Sequence, residues 1–438
     1  MTYSEPSRLK RFSPTLLVAA CFAIFAACES TPTRPPAPIS TGEPRVAPGT
    51  EPIDLSEEID QAEIDDEAIG ELEQDEGYTP PHMAGREVRR AAVLLPFSHP
   101  RADVRAEAES MLAAIELAMF NRAEPSFLIL PKDTAGKRST AEARVLEALD
   151  EGADIIIGPL FSANVQTVRA AAFDADVPVI GFSNSRAAAG EGAFLISVAP
   201  EEEVARIIDV AFDRGITKFA FLGPDSDYGR RIETAMRQRV YFGGGRIVSS
   251  AFYEPSNDAP VDEARQVATA VKAELEASPE KVAIMIPERG VRLRGVAPLL
   301  PYYDVDIRQV QFLGTGLWND PSVWREPTLI GGIFPAPDPD NIARFEESFE
   351  RIYNRKPTAL ASIGYDAGAL TAALASADAL SFDGVTQPDG FNGVNGLFRF
   401  RVDGTAERSL SVLELKANEG AVPIDYGRES FDPLIPEG

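Results

Sequence analysis

From Arg89 onward, short apolar runs alternate with amphipathic stretches of helix length, and this rhythm restricts the possible folds more than any other feature of the chain. Residues 91–97 read as a buried strand followed by a helix over 102–122. Residues 127–131 are a second strand, with a helix over 138–151. Residues 153–157, a helix over 162–174 and residues 177–182 complete three strand–helix units and a fourth strand. Strands separated by helices of this length require crossover connections and a parallel sheet.

The rhythm restarts after a bridge near Ala199 and Pro200. Helices are expected over 201–214, 228–241 and 260–277, with one more after Glu288. The matching strands are 218–222, 246–253, 282–286, 310–314 and 329–334. The fold class is therefore α/β, with two doubly wound lobes. Open sheets of this kind bind ligands beyond the carboxyl ends of their strands, so function should lie in the cleft between the lobes. The rest of the chain is too short to bury a core of its own. Its helices, 342–354 and 360–380, are expected on the first lobe. Strands 396–400 and 410–415 flank an Asp403-Gly404 turn, the latter strand lying on the second lobe. The expected limits are 88–200 with 336–404 for lobe 1, 201–335 with 405–425 for lobe 2, and 426–438 for a C-terminal tail.

Composition removes several function classes. Sixty-eight Asp and Glu against 42 Lys and Arg leave a net charge of -26, which repels a phosphate backbone, so no nucleic-acid partner is expected. Two histidines and two cysteines are too few for a disulfide framework or a Cys/His zinc site, so neither metal nor cofactor is expected. His99 stands in the body without a nucleophile–base–orienter set around it, and the chain reads as a non-enzyme.

Both cysteines lie in the leader. Arg8, Lys10 and Arg11 precede an apolar run over 14–27 that ends in small residues, the build of a secretory signal over 1–27. Ile24-Phe25-Ala26-Ala27-Cys28 resembles a bacterial lipobox with Cys28 as the lipidated residue; the other reading is an ordinary secretory leader with incidental cysteines. Residues 28–87 form a linker. Seven prolines fall between Cys28 and Pro52, and fourteen carboxylates against Arg45 alone between Glu43 and Glu76 supply half of the chain's net charge. Such a segment is extended and self-repelling. Its apolar residues Ile53, Leu55, Ile59, Ile64, Ile69 and Leu72 would also allow an amphipathic docking helix for a basic partner.

The strand ends carry the candidate ligand residues. Ser98 follows the first strand, Ser162 opens a helix after Gly158-Pro159 as its N-cap, and Ser183, Asn184 and Ser185 follow the fourth strand. In the second lobe Tyr228 could close over a ligand, Asp225 or Asp227 could meet an ammonium, and one of those two should cap the next helix. Trp318 is a candidate apolar wall. Gly243-Gly244-Gly245 lies after a helix and before a strand, which reads as a helix stop rather than a phosphate loop.

Gly158-Pro159-Leu160 with Asn164-Val165, the strand end from Pro178 to Asn184, and Asp227-Tyr228-Gly229 together resemble the type I periplasmic binding proteins of the leucine-binding group, over roughly 89–417. Within that group the glycine-proline turn and Phe182-Ser183-Asn184 are closest to the lipid-anchored penicillin-binding protein activators. The resemblance implies two lobes joined by three crossings and closing on a small ligand. Ser162 and the loop of Ser183, Asn184 and Ser185 match places that hold a ligand carboxylate, and Tyr228 matches a closing aromatic. The acidic residue that amino-acid binders use for the ammonium is missing from Thr315-Gly316-Leu317, which points away from a free amino acid. The implied partners are a peptidoglycan synthase (a penicillin-binding protein) and a small amino-acid-like or cell-wall-derived ligand, or else an ABC permease served by an amino-acid receptor. The implied place is the periplasm, with the lipid in a bacterial membrane, preferentially the outer one.

Overall fold

The computed structural model describes Met83 and residues 88–122, 127–257 and 259–431. The leader, Cys28 and the linker, Met83 apart, lie outside the described residues. The chain divides into two units, Met1–Glu71 and Leu72–Gly438, and everything described below belongs to the second.

The first lobe is built on β1 (Arg89–Leu95), β2 (Phe127–Asp133), β3 (Ile155–Ile157), β4 (Val179–Gly181) and β5 (Ala193–Leu195). They are paired in parallel in the order β2-β1-β3-β4-β5. Past the two arginines that open β1, strands β1, β3 and β4 are apolar throughout because both faces of the sheet are covered. On one face α2 (Arg138–Asp150) and α3 (Ser162–Asp174) pack through Val145, Val165 and Val168. On the other, α1 (Ala102–Arg122) and the late helix α10 (Ala361–Ser376) bury Met111, Ile115 and Leu370 against the sheet. The sequence signals did not show β5, a three-residue strand too short for an alternation pattern.

The second lobe carries α4 (Pro200–Asp213), β6 (Lys218–Pro224), α5 (Asp227–Phe242), β7 (Arg246–Tyr253), α6 (Val261–Ala277), β8 (Val282–Met285), α7 (Gly290–Val296), α8 (Leu299–Tyr302), β9 (Val310–Leu313) and β10 (Ile333–Ala336). The chain then returns to the first lobe with α9 (Pro339–Tyr353), α10, α11 (Phe382–Val385) and a small antiparallel sheet of β11 (Phe391–Gly393), β12 (Gly396–Phe400) and β13 (Ala406–Arg408). It ends in the second lobe with β14 (Ser411–Lys416) and β15 (Gly420–Asp425), antiparallel additions that give the order β15-β14-β10-β9-β8-β6-β7. Residues 337–338 thus link β10 to α9, and three crossings join the lobes.

Several expectations are corrected. Residues 405–408, placed in the second lobe from sequence, pair with β12 through β13, because Asp403 accepts from the Thr405 N–H and hydroxyl and closes a hairpin turn. The third crossing therefore follows Arg408. The strand expected over 329–334 begins only at Ile333, since Pro327 to Leu329 form a single 3₁₀ turn. Trp318 is no cleft wall. It is fully buried beneath Gly314 and Gly332, and its indole N–H donates to the Ile286 carbonyl at 3.0 Å.

Candidate ligand-binding cleft

Both sheets turn the carboxyl ends of their parallel strands toward the segments that link the lobes. In the first lobe β3 ends at Gly158, whose φ of +106° and closeness to the Leu94 carbonyl, 2.3 Å from any added Cβ, admit glycine alone. The chain then enters α3 with Phe161 at the N-cap position and no side-chain cap. Ser162 is the first helical residue rather than the cap expected of it. The Asn164 N–H already donates to the Phe161 carbonyl at 2.9 Å, which leaves the Ser162 and Ala163 N–H groups, at the positive end of the helix dipole, for solvent or an anion. Within that first turn Asn164 is buried, and its Nδ2 has no hydrogen-bond partner among the described residues.

The loop after β4 is ordered from within. Ser183 is buried and its Oγ accepts from the Ser185 N–H at 3.1 Å. Asn184 is exposed, and its carbonyl accepts from Arg231 of α5 at 3.0 Å. Ser98, by contrast, serves its own turn. Its N–H donates to Asp133 Oδ1 at 3.1 Å, and that carboxylate also accepts from the Ala135 N–H at 2.8 Å. Burial alone would raise the Asp133 carboxyl, but hydrogen bonds from Ser98 and from the Ala135 and Phe97 N–H groups outweigh it and hold the group below its ordinary range.

In the second lobe neither Asp225 nor Asp227 caps α5. Ser226 does, its Oγ accepting from the Gly229 N–H at 3.1 Å. Asp225 pairs with Arg230, and Asp227 is exposed in the first helical turn. Tyr228 lies deeper, its hydroxyl 2.8 Å from Oγ1 of the fully buried Thr315 at the end of β9. Burial raises the Tyr228 pKa, and the negative charge of Glu203 raises it further. At the neighbouring strand end, Tyr253 donates to Glu288 at 2.9 Å.

Glu203 is the residue that sequence reasoning missed. Glu201, Glu202 and Glu203 follow Pro200 in the first turn of α4, where acidic residues are expected simply because they complement the helix dipole. Successive residues on a helix point about 100° apart, so the three carboxylates reach different partners. Glu201 forms a two-pronged pair with Arg231 at 2.9 and 2.8 Å. Glu202 reaches Arg401 at 3.2 Å. Glu203 accepts a hydrogen bond from the Gly316 N–H, and among the described residues no arginine or lysine pairs with it. It keeps partial exposure, yet the protein packed around its carboxyl strips enough hydration to push its pKa up to about 7. The acid absent from the Thr315-Gly316-Leu317 stretch is thus supplied to that place by α4. Proximity in sequence carried no signal for this.

The first lobe thus brings an uncapped helix start and a serine-rich loop to its strand ends, and the second brings the Glu203 carboxyl and Tyr228 to its own, with Thr315 buried behind the tyrosine. Among the described residues no group of three Cys, His, Asp or Glu is arranged to hold a metal ion, and no helix is long and apolar enough to cross a membrane.

Two parallel-sheet lobes with three crossings and a cleft at the strand ends constitute the two-lobed periplasmic-binding-protein fold. A family model described as periplasmic binding protein matches residues 90–278. Among solved structures, a protein of Rhodospirillum rubrum provisionally assigned as a branched-chain amino acid ABC transporter is 18% identical with a TM-score of 0.67, covering 77% of this chain and 100% of its own. The branched-chain amino acid ABC transporter periplasmic ligand-binding protein of Burkholderia xenovorans is 16% identical with a TM-score of 0.60, over 80% of this chain and 96% of its own. An ABC-type branched-chain amino acid transporter of Rhodopseudomonas palustris is 17% identical with a TM-score of 0.60, over 79% and 95%. At these identities the likeness establishes the fold. No curated protein matches the chain in sequence.

Proposed function

We propose that this chain is a non-catalytic periplasmic binding protein that closes its lobes on a small ligand bearing both an anionic group and an ammonium, an amino acid or a close relative. The observation that carries the reading is Glu203, a carboxyl held by the Gly316 N–H beside the end of β9, with no arginine or lysine paired to it among the described residues. A ligand ammonium would supply the missing charge, and the start of α3 with Ser162, Ser183 and Ser185 would take the carboxylate. Structures of this fold that carry branched-chain amino acid transport in their descriptions support an ABC permease as the partner. Cys28 would carry the lipid, and the linker would give the body reach from the membrane.

Calorimetric titration of the full chain against a panel of amino acids tests this directly. Stoichiometric binding that Glu203→Gln and Ser162→Ala each weaken at least tenfold is the expected result; no heat with any member of the panel would remove the reading.

A second reading has one feature in its favour. The proline-rich, acidic stretch before the fold is long for a receptor that only shuttles a solute, and it suits a lipid-anchored penicillin-binding protein activator reaching a peptidoglycan synthase. Retention of such a synthase by the full chain, lost when the acidic stretch is replaced by Gly-Ser, would support it.

A further inference from the structure

At the mouth of the cleft the side chain of Arg231 bridges the two lobes. Arg231 lies one turn after Tyr228 on α5, so both project from the same helical face. Its Nε and Nη2 hold the two oxygens of Glu201, and Nη2 also donates to the Asn184 carbonyl of the first lobe at 3.0 Å. A guanidinium Nη carries two hydrogens in a fixed plane. The two-pronged pair with Glu201 spends one of them and thereby aims the other across the gap. Glu201 itself sits directly after the first crossing, so the aim of Arg231 is set from the hinge. Both side chains are half-buried, which spares the pair much of the screening of a surface ion pair. Around this bridge Ser185 and Arg186 of the first lobe and Asp227, Arg230 and Arg231 of the second line one groove of about 680 Å3, so the two surfaces are apposed here.

We infer that Arg231 is a closure latch: held by Glu201, it binds the Asn184 carbonyl and biases the two lobes toward the closed arrangement at this mouth. Because Asn184 lies between Ser183 and Ser185, the latch also sets the position of the loop proposed to take the ligand carboxylate. The inference rests on that reading only for this last consequence; the bridge between the lobes stands on the Arg231 contacts alone.

The test measures distances between spin labels at Lys137 and Val291, exposed residues near the cleft-facing ends of the two lobes, in the full chain with Cys21 and Cys28 changed to Ser and no ligand present. The unsubstituted latch should give a short-distance population. Arg231→Gln should lower the ratio of short to long distances about tenfold, as expected for loss of a charge-assisted hydrogen bond. Glu201→Gln should lower it less, and Arg231→Lys should restore part of the loss. Unchanged melting of the Arg231→Gln protein confirms that the lobes themselves are intact; should it melt early, Glu201→Gln carries the comparison. A distribution indifferent to these changes, or one lacking any short-distance population in the parent protein, overturns the latch without bearing on whether the cleft binds an amino acid.

Discussion

The Gly316 amide donates to the Glu203 carboxyl, although 113 positions separate them in the chain, and the contact exists because residue 316 has no side chain. A Cβ there would fall 2.5 Å from Glu203 Oε1, inside any permitted contact. Gly316 is thus the floor on which the acid rests.

Gly316→Ala should therefore push the carboxyl off its place while leaving the fold in being. We expect affinity for an amino-acid ligand to fall about tenfold, with the melting temperature lowered by only a few degrees. Equal affinities for the two proteins in calorimetry would contradict the placement of Glu203 at the ligand.

The pKa of Glu203 makes a pH-dependent contribution to stability. Its folded value of about 7 stands above the ordinary 4.5, so the folded chain holds a proton that the unfolded chain releases between those two values. Stability therefore falls as pH rises from 4.5 to 7, and the cost is fully present above 7. At full strength it amounts to at most about 3 kcal/mol. Relative to Glu203→Gln, the parent protein should lose stability between pH 5 and pH 8 in denaturant titrations. Over the same window its affinity for an ammonium-bearing ligand should rise, because the ionised carboxyl is the binding form. Parallel stability curves for the two proteins would refute the shift.

Tyr228→Phe keeps the ring and deletes the hydroxyl that meets Thr315 Oγ1 at 2.8 Å. Thr315 is fully buried, so its hydroxyl loses a partner that water cannot replace. A loss of about 1 kcal/mol is expected in urea unfolding, with an unchanged m-value. A variant as stable as the parent would show that the contact contributes nothing.

The first lobe contains a buried charge whose removal should cost far more. Asp366 accepts from the Val394 and Asn395 N–H groups and the Asn395 side chain, and lies 3.7 Å from the buried Arg408. Desolvation raises its pKa, and Arg408 opposes that rise. Asp366→Ala leaves the guanidinium without its counter-charge and two backbone donors without an acceptor. About 3–5 kcal/mol should be lost, enough to melt the small sheet and detach α10 from β11 and β12. Hydrogen exchange that stays slow over β11 to β13 in this variant would argue against the pair's structural role.

The legible part of the molecule is its layer order. Strands such as Ile155–Ile157 and Val282–Met285 are apolar throughout because helices cover both faces of their sheets, and burial of that kind writes itself into local composition. The same holds for the helix stop, where Gly244 takes a φ of +76°, and for the turn at Gly158 with φ of +106°, where the backbone favours glycine. The short strand β5 and the edge strand β15 left no such mark, since neither has two covered faces and a long run.

The candidate site could be read from the sequence only on the side where it is local. Ser162, Ser183, Asn184, Ser185 and Tyr228 stand at strand ends, and a strand end can be read from the chain. Trp318 looked like a wall but is core, because apolar character alone does not say which side of a sheet edge a ring falls on. Glu203, Thr315 and Arg231 needed the fold. Three adjacent acids after Pro200 are indistinguishable in sequence. Only the 100° step of the helix, laid against β9 on one side and α5 on the other, makes one an anchor for Arg231, one a partner for Arg401 and one a cleft carboxyl. Sequence alone determined what this chain buries, because hydration is a property of each residue. Tertiary structure decided which of its polar groups meet, because hydrogen bonds reach about 3 Å and the chain brings distant residues to that range only once it has folded.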